Sequence, residues 1–122
     1  MKPEELMIGD WVNVFGIPKQ MEGIREFRNG DEVVYYDGDN GNFIENVTPI
    51  PLTPEILEKN GFSKELDSDG IHYRFTLIQG CSQFSLLYAR SVFQWLYPID
   101  FKHVHELQHA LRLCGIEKEI IL

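Results

Sequence analysis

The chain has 122 residues, of which 43% are hydrophobic and 12% aromatic, and its formal net charge at pH 7 is −8. This length suits one domain or two small lobes, and the apolar content is sufficient for a packed interior, which argues against a disordered chain. Because an acidic surface repels phosphates and anionic headgroups, direct binding to nucleic acid or to a membrane surface is not expected.

The charge is unevenly distributed along the chain. Residues 1–52 carry four basic and ten acidic side chains, a net charge of −6, whereas residues 53–122 carry seven and nine, a net charge of −2. The charge of the first half raises the alternative that the protein imitates a nucleic acid and occupies a DNA-binding protein.

Several features predict a cytoplasmic protein. Residues 1–6 are acidic and lack the apolar segment of a secretory signal, and no apolar run approaches the ~18 residues that span a bilayer. The two cysteines, Cys81 and Cys114, do not form a close-spaced pair. We therefore expect two buried or half-buried thiols in a reducing compartment, and neither a disulfide framework nor a zinc knuckle.

The first half of the chain is typical of β structure. Strands are predicted at residues 10–15, 19–27, 32–36 and 43–47, separated by turn sequences at 16–18, 28–31 and 37–42. Asn29-Gly30 favours a tight hairpin, and Gly23 inside the second strand indicates a bulge. Short strands about ten residues apart predict a small SH3-like β-barrel or a bent sheet over residues 1–50.

A stiff linker and a short helix come next. Residues 48–52 contain two prolines and are predicted to be extended. Thr53 is the predicted N-cap of a helix whose first residue is Pro54. The helix is predicted to end at Asn60-Gly61, with Phe62 covering its last turn.

The remainder predicts a three-stranded antiparallel meander followed by a second helix. The first strand is placed at residues 71–77, where apolar and polar residues alternate. The helix is placed at 100–114, with Asp100 as its N-cap and Gly115 after its end. Its predicted core stripe is Phe101, Val104, Leu107, Leu111 and Cys114. Residues 117–122 are predicted to add a short strand. The predicted class is α+β, with lobes at 1–50 and 51–122 packed as one unit.

One segment matches the HExxH pattern of zinc hydrolases. Histidines four residues apart on a helix, His105 and His109, can share a zinc ion, and the intervening Glu106 can act as general base on a bound water. The remaining positions of the match are Leu107 and Gln108. The match motivates a zinc-dependent hydrolase as one alternative function.

A catalytic zinc ion needs a third protein ligand, and the sequence supplies none at a diagnostic spacing. The extended metzincin pattern requires Gly and His where this chain has Arg112 and Gly115. Glu117 and Glu119 lie just beyond the predicted helix end, and His72 and His103 have no characteristic spacing. We therefore interpret His105 and His109 as histidines at the boundary of an amphipathic helix, and we expect no metal and no cofactor.

The aromatic residues exceed what so small a core must bury. Exposed aromatics commonly anchor protein interfaces. The candidates for such a role are Trp11, Tyr35, Phe93, Trp95 and Tyr97. The alternative is that these rings pack in the seam between the two halves.

Residues 1–12, 49–62 and 104–108 resemble an uncharacterised family of small Bacteroidetes proteins, associated with gut bacteria and with phage-derived or other mobile regions. The resemblance implies no activity, cofactor or catalytic residue. Together with the acidity, the small size and the surplus of aromatics, it favours a non-enzymatic protein-interaction or regulatory module with an unidentified protein partner and a mobile-element origin. The zinc hydrolase and the acidic nucleic-acid mimic are the alternatives.

Overall fold

A computed structural model describes residues 1–96 and 99–122, with the backbone but not the side chain of Leu96. The described chain divides into two compact units. The N-terminal unit comprises Met1–Ile50 with His103–His105, and the C-terminal unit comprises Pro51–Lys102 with Glu106–Leu122.

The predicted α+β class is wrong, because the described chain is mostly β. Strands account for 44% of it and helices for 18%, and the strands form three sheets beside only two α-helices. Segments that we predicted to be turns or helix have joined sheets, where backbone N–H and C=O groups find partners in a neighbouring strand.

The N-terminal unit contains six short strands and two 3₁₀ turns. The strands are β1 (Trp11–Val14), β2 (Ile17–Gln20), β3 (Gly23–Glu26), β4 (Glu32–Tyr36), β5 (Asn40–Phe43) and β6 (Val47–Pro49), and the 3₁₀ turns are Pro3–Glu5 and Ile44–Asn46. They pair as two antiparallel three-stranded sheets, in the orders β2-β1-β6 and β3-β4-β5. The hydrogen bonding is therefore that of two small sheets and not of the single barrel or bent sheet that we predicted.

The predicted second strand, at residues 19–27, divides in two. Met21 is buried, and its N–H donates to the Asp10 carbonyl at 2.8 Å, while the N–H of Glu22 donates to the Tyr35 carbonyl at 2.8 Å. The chain thus leaves one sheet at Met21 and joins the other at Glu22. Gly23 opens β3 and does not form the predicted bulge.

The core of the N-terminal unit packs against one face of β1. Val12 and Val14 alternate inward along this strand, as period-two patterning requires. The buried residues that pack together are Leu6, Val12, Val14, Met21, Val34 and Val47.

The C-terminal unit is built around one antiparallel sheet in the order β11-β10-β9-β8-β7. Its elements are α1 (Pro54–Lys59), β7 (Ser63–Leu66), β8 (Tyr73–Gln79), β9 (Ser82–Ala89), β10 (Val92–Leu96) and β11 (Ile99–Phe101), followed by α2 (Val104–Leu113), whose first two residues are counted with the N-terminal unit. Within the described ranges, no helix has the length and apolar character needed to cross a membrane.

The predicted order of helix, three strands and helix misses two strands of this sheet. β7 was not predicted, and β11 replaces the predicted first turn of the second helix, so Asp100 is a strand residue and α2 begins at Val104. Phe101 lies opposite Phe93 in the sheet register, which favours pairing with β10 over helix formation. β8 begins at Tyr73, leaving Ile71 exposed outside it, and residues 117–122 form no strand.

Helix α1 begins and ends where the sequence predicts. The Thr53 hydroxyl accepts a hydrogen bond from the Ile56 N–H at 3.3 Å, as an N-cap does. Gly61 has a φ of 88°, and the N–H of Phe62 donates to the Leu57 carbonyl at 3.0 Å. This Schellman arrangement buries the Phe62 ring against the end of the helix.

Helix α2 ends in the same way, but the cysteine prediction is wrong. The N–H of Ile116 donates to the Leu111 carbonyl at 2.9 Å around Gly115, and Ile116 is buried. Because α2 ends at Leu113, Cys114 lies in the turn after the helix, where its thiol is exposed. Cys81, at a hairpin turn, is exposed as well.

Asn60 ties the C-terminal segment to α1. Its side chain is 1% exposed, and its amide nitrogen donates to the carbonyls of Ile56 at 2.8 Å and Ile121 at 2.7 Å. Its amide oxygen accepts from the Ile121 N–H at 2.7 Å. These bonds place the last residues of the chain beside the helix, where Ile120 is buried.

Candidate interaction site

The HExxH residues lie on α2, as predicted, but they are not all at a boundary. His105 is buried, and its ring stacks on His103 with centroids 5.7 Å apart and planes 9° apart. Glu106 and His109 are half-buried. One Glu106 oxygen accepts a hydrogen bond from the Lys102 N–H at 3.2 Å, so this carboxylate stabilises the first turn of the helix.

A metal centre would need further ligands near these histidines. Throughout residues 1–96 and 99–122, no three His, Cys, Asp or Glu side chains are grouped closely enough to hold a metal ion. The hydrolase reaction requires at least three protein ligands around an open position. The described residues therefore supply no geometry for the zinc alternative.

Two aromatic candidates of the C-terminal unit, Phe93 and Trp95, contact other rings of that unit. Phe93 is 1% exposed and contacts the rings of Phe75 and Tyr88, at centroid distances of 5.9 and 4.6 Å. Trp95 is half-buried between Phe84, at 5.4 Å, and Phe101, at 5.8 Å. We therefore withdraw Phe93 as an interface candidate, because an inward strand position in the sheet removes its ring from solvent. Tyr97 lies outside the described residues.

Tyr35 has a structural role within the β3-β4-β5 sheet. In the register, Tyr35 lies between Gly23 on one neighbouring strand and Gly41 on the other. A Cβ atom at Gly41 would lie 3.0 Å from the Tyr35 ring. The ring therefore covers the glycine backbone, an arrangement that supports a glycine in an edge strand.

Trp11 lines an open depression on the N-terminal unit, which we call the Trp11 depression. It has a volume of about 520 Å³ and is lined by Ile8, Gly9, Trp11, Pro18, Lys19, Gln20, Met21, Glu22 and Asp37. Trp11 pairs with Gln20 across β1 and β2, and Asn13 pairs with Pro18. Residues in these pairs share one face of the sheet, opposite the face that carries the buried valines.

The apolar part of the depression is accessible to solvent. Ile8 is 70% exposed, Pro18 is exposed, and Trp11 is half-buried. An indole ring with one protected and one open side offers a large contact area whose ordering costs little entropy. Because Met21, which also lines the depression, is buried, these three side chains are the apolar surface that solvent reaches.

Charged groups lie along its rim. Lys19 forms an ion pair with Asp37 and lies 5.6 Å from the centroid of the Tyr36 ring. Glu22 accepts a hydrogen bond from the Gly38 N–H at 3.2 Å. The lining therefore carries one positive and two negative side chains, in a unit whose residues 1–50 have a net charge of −6.

Pro18 also affects what the backbone of β2 can bind. β2 is an edge strand, and the pairing of Val14 with Ile17 closes a two-residue hairpin. In the alternating pattern of an antiparallel ladder, the next residue, Pro18, directs its backbone nitrogen away from β1. Because proline has no N–H, this edge lacks the donor that an added strand would require there.

Trp11 is a residue of the depression that the sequence identifies as a candidate, whereas the residues that surround it were not predicted. Ile8 precedes Gly9 and belongs to no periodic pattern, and we predicted Pro18 only as part of a turn. Glu22 and Asp37 come from other segments. The apolar residue Ile8, next to Gly9, was the available signal in the sequence, and it became informative only when the structure placed it beside Trp11.

The chain matches no known protein family, no curated protein and no solved structure at significant similarity. The resemblance to a family of small Bacteroidetes proteins therefore stays a prediction.

Proposed function

We propose that this chain is a protein-interaction module that binds a segment of its partner in the Trp11 depression. The observation that supports this function best is the open apolar surface formed by Ile8, Trp11 and Pro18 beside charged rim residues. Contacts of this composition, with an aromatic anchor and a polar rim, supply much of the binding free energy in protein interfaces.

The location of the depression supports the same proposal. Its exposed apolar residues do not continue the core of the unit, because Trp11 and Pro18 lie on the sheet face opposite Val12 and Val14. Burial of Ile8 requires a second molecule or another segment of chain, and each Å² of apolar surface removed from water contributes roughly 25 cal/mol.

The experiment is affinity capture with mass spectrometry, using three tagged forms of the chain. They are the wild type, Ile8→Ser and the matched control Ile78→Ser. Ile8 and Ile78 are both 70% exposed, so both substitutions remove the same exposed side chain, and only Ile8 lines the depression. We expect a partner that is retained by the wild type and by Ile78→Ser and is lost from Ile8→Ser.

Two results would contradict the proposal: capture of the same partners by all three forms, and capture of none by any form. Repeating the capture at high salt with nuclease present also tests the acidic mimic. A DNA-binding partner that high salt releases and that Ile8→Ser retains would favour the mimic, since charge attraction is screened by salt and needs no apolar contact.

A further inference from the structure

We propose that the segment bound in the Trp11 depression is cationic, with an apolar or aromatic side chain flanked by Lys or Arg. This inference rests on the proposed function and specifies the chemistry of the partner.

The apolar walls of the depression predict that the segment contributes an apolar side chain. Ile8, Trp11 and Pro18 contribute aliphatic and aromatic surface to these walls. An apolar side chain placed against them would remove both surfaces from water. The exposed part of the half-buried Trp11 indole can also attract cations, because the face of an aromatic ring carries partial negative charge.

The charged side chains on the rim of the depression predict that the segment is positively charged. Lys19 is paired with Asp37. The other lining carboxylate, Glu22, accepts a hydrogen bond from a backbone N–H, and among the described residues it forms no ion pair with a basic side chain. Residues 1–50 hold ten acidic and four basic side chains. A cationic segment would be drawn towards this unit and an anionic one repelled, and such attraction raises both association rate and specificity.

The partner segment is expected to be recognised through its side chains and not as an added strand, because the edge of β2 contains a proline. Pro18 removes an outward N–H from this strand. Gln20 uses its side-chain amide within the unit, donating to the Gly9 carbonyl at 3.0 Å. The partner segment is therefore expected to be selected by its side chains, with few backbone hydrogen bonds to β2.

The test is selection from a phage library of random short peptides on the wild-type chain at low salt, followed by synthesis of the selected peptides. Binding is measured by Trp11 fluorescence in a Trp95→Phe variant, in which Trp11 is the only tryptophan, since the chain has two. The substituted residue keeps an aromatic ring between Phe84 and Phe101. We expect selected peptides rich in Lys and Arg around an apolar residue, and binding that weakens as salt rises.

A second measurement isolates the contribution of Glu22. Glu22→Gln retains the oxygen that accepts the Gly38 N–H and removes the charge, so the fold is kept. We expect this variant to bind a selected peptide about threefold more weakly, the effect of one solvent-exposed ion pair. The control Glu119→Gln, in the C-terminal unit, removes the same charge from an exposed residue and is expected to leave the affinity unchanged.

The outcomes separate the two proposals. Neutral or acidic peptides whose binding is lost in Ile8→Ser would overturn the cationic segment and leave the interaction module standing. Equal weakening by Glu22→Gln and Glu119→Gln would also overturn it, because the attraction would then come from net charge and not from the rim. Failure to select any peptide sensitive to Ile8→Ser would count against both.

Discussion

Replacement of Gly41 by alanine tests the packing of the β3-β4-β5 sheet. An added Cβ atom would lie 2.9 Å from Val33 Cγ1 and 3.0 Å from Tyr35 Cε1. Non-bonded carbon atoms prefer a separation of about 3.5–4.0 Å. Val33 is only 9% exposed, so its methyl group has little room to move, and β5 must shift or the Tyr35 ring must rotate away.

The expected cost follows from these contacts. Overpacking by one carbon costs about 1–3 kcal/mol. The edge position of Gly41 allows some relief, and the loss of glycine freedom in the unfolded chain returns about 0.4–1 kcal/mol. We therefore expect Gly41→Ala to lower the free energy of unfolding by about 1–2 kcal/mol.

Gly23→Ala is the matched control. Gly23 lies on the other side of Tyr35 in the same cross-strand row, and a Cβ atom there meets nothing within 4 Å. This variant is expected to be unchanged or more stable by about 0.5 kcal/mol. Urea unfolding, with the slope unchanged and the midpoint shifted, measures both variants. Equal stability of Gly41→Ala and Gly23→Ala would refute the packing derived for Tyr35.

Three further predictions concern polar contacts. Asn60→Ala should lower the free energy of unfolding by about 2–4 kcal/mol, because it removes three hydrogen bonds of a buried side chain, two of them to the backbone of Ile121. Urea unfolding checks this, and a loss no larger than that of an exposed Asn→Ala change would contradict it. Thr53→Ala should cost about 1 kcal/mol through loss of the α1 N-cap, whereas Thr53→Ser should be near neutral. The pKa of Asp69 should be about 2, because its carboxylate accepts hydrogen bonds, above all from the backbone N–H of His72. Any stability that Asp69 contributes is present above its ordinary pKa and is lost as the pH falls towards 2. In carboxyl NMR titrations, His72→Ala should raise this pKa only in part, since the backbone N–H remains, and a full return to 3.8 would contradict the assignment.

Local chemistry explains which elements could be predicted from the sequence. Turns and helix ends depend on a few adjacent residues, so the hairpin at Asn29-Gly30, the N-cap at Thr53 and the helix end at Gly61 are found where expected. β4 has the predicted bounds, Glu32–Tyr36, because β-branched and aromatic residues fill it between two turn sequences.

Pairing between distant segments explains the errors. Residues 99–101 carry an acceptable helix N-cap at Asp100, yet they pair with β10. Contacts between distant segments also decide whether an aromatic ring is buried. Phe93 and Trp11 both lie in short strands with apolar neighbours, yet Phe93 is buried and Trp11 is only half-buried. A strand edge or a neighbouring ring can outweigh a local preference worth about 1 kcal/mol.

The sequence alone determined that the chain is acidic, that its N-terminal half is rich in strands, that α1 begins after the Thr53 cap, and that both helices end before a glycine. It also identified Trp11 as a candidate contact. Only the tertiary structure decided that the N-terminal strands form two separate three-stranded sheets and that Phe93 is buried. It also decided that Ile8, Pro18 and Glu22 line the depression with Trp11. The physical reason is that capping and turn preferences act between adjacent residues, whereas burial and the assembly of a binding surface depend on contacts between segments far apart in the chain.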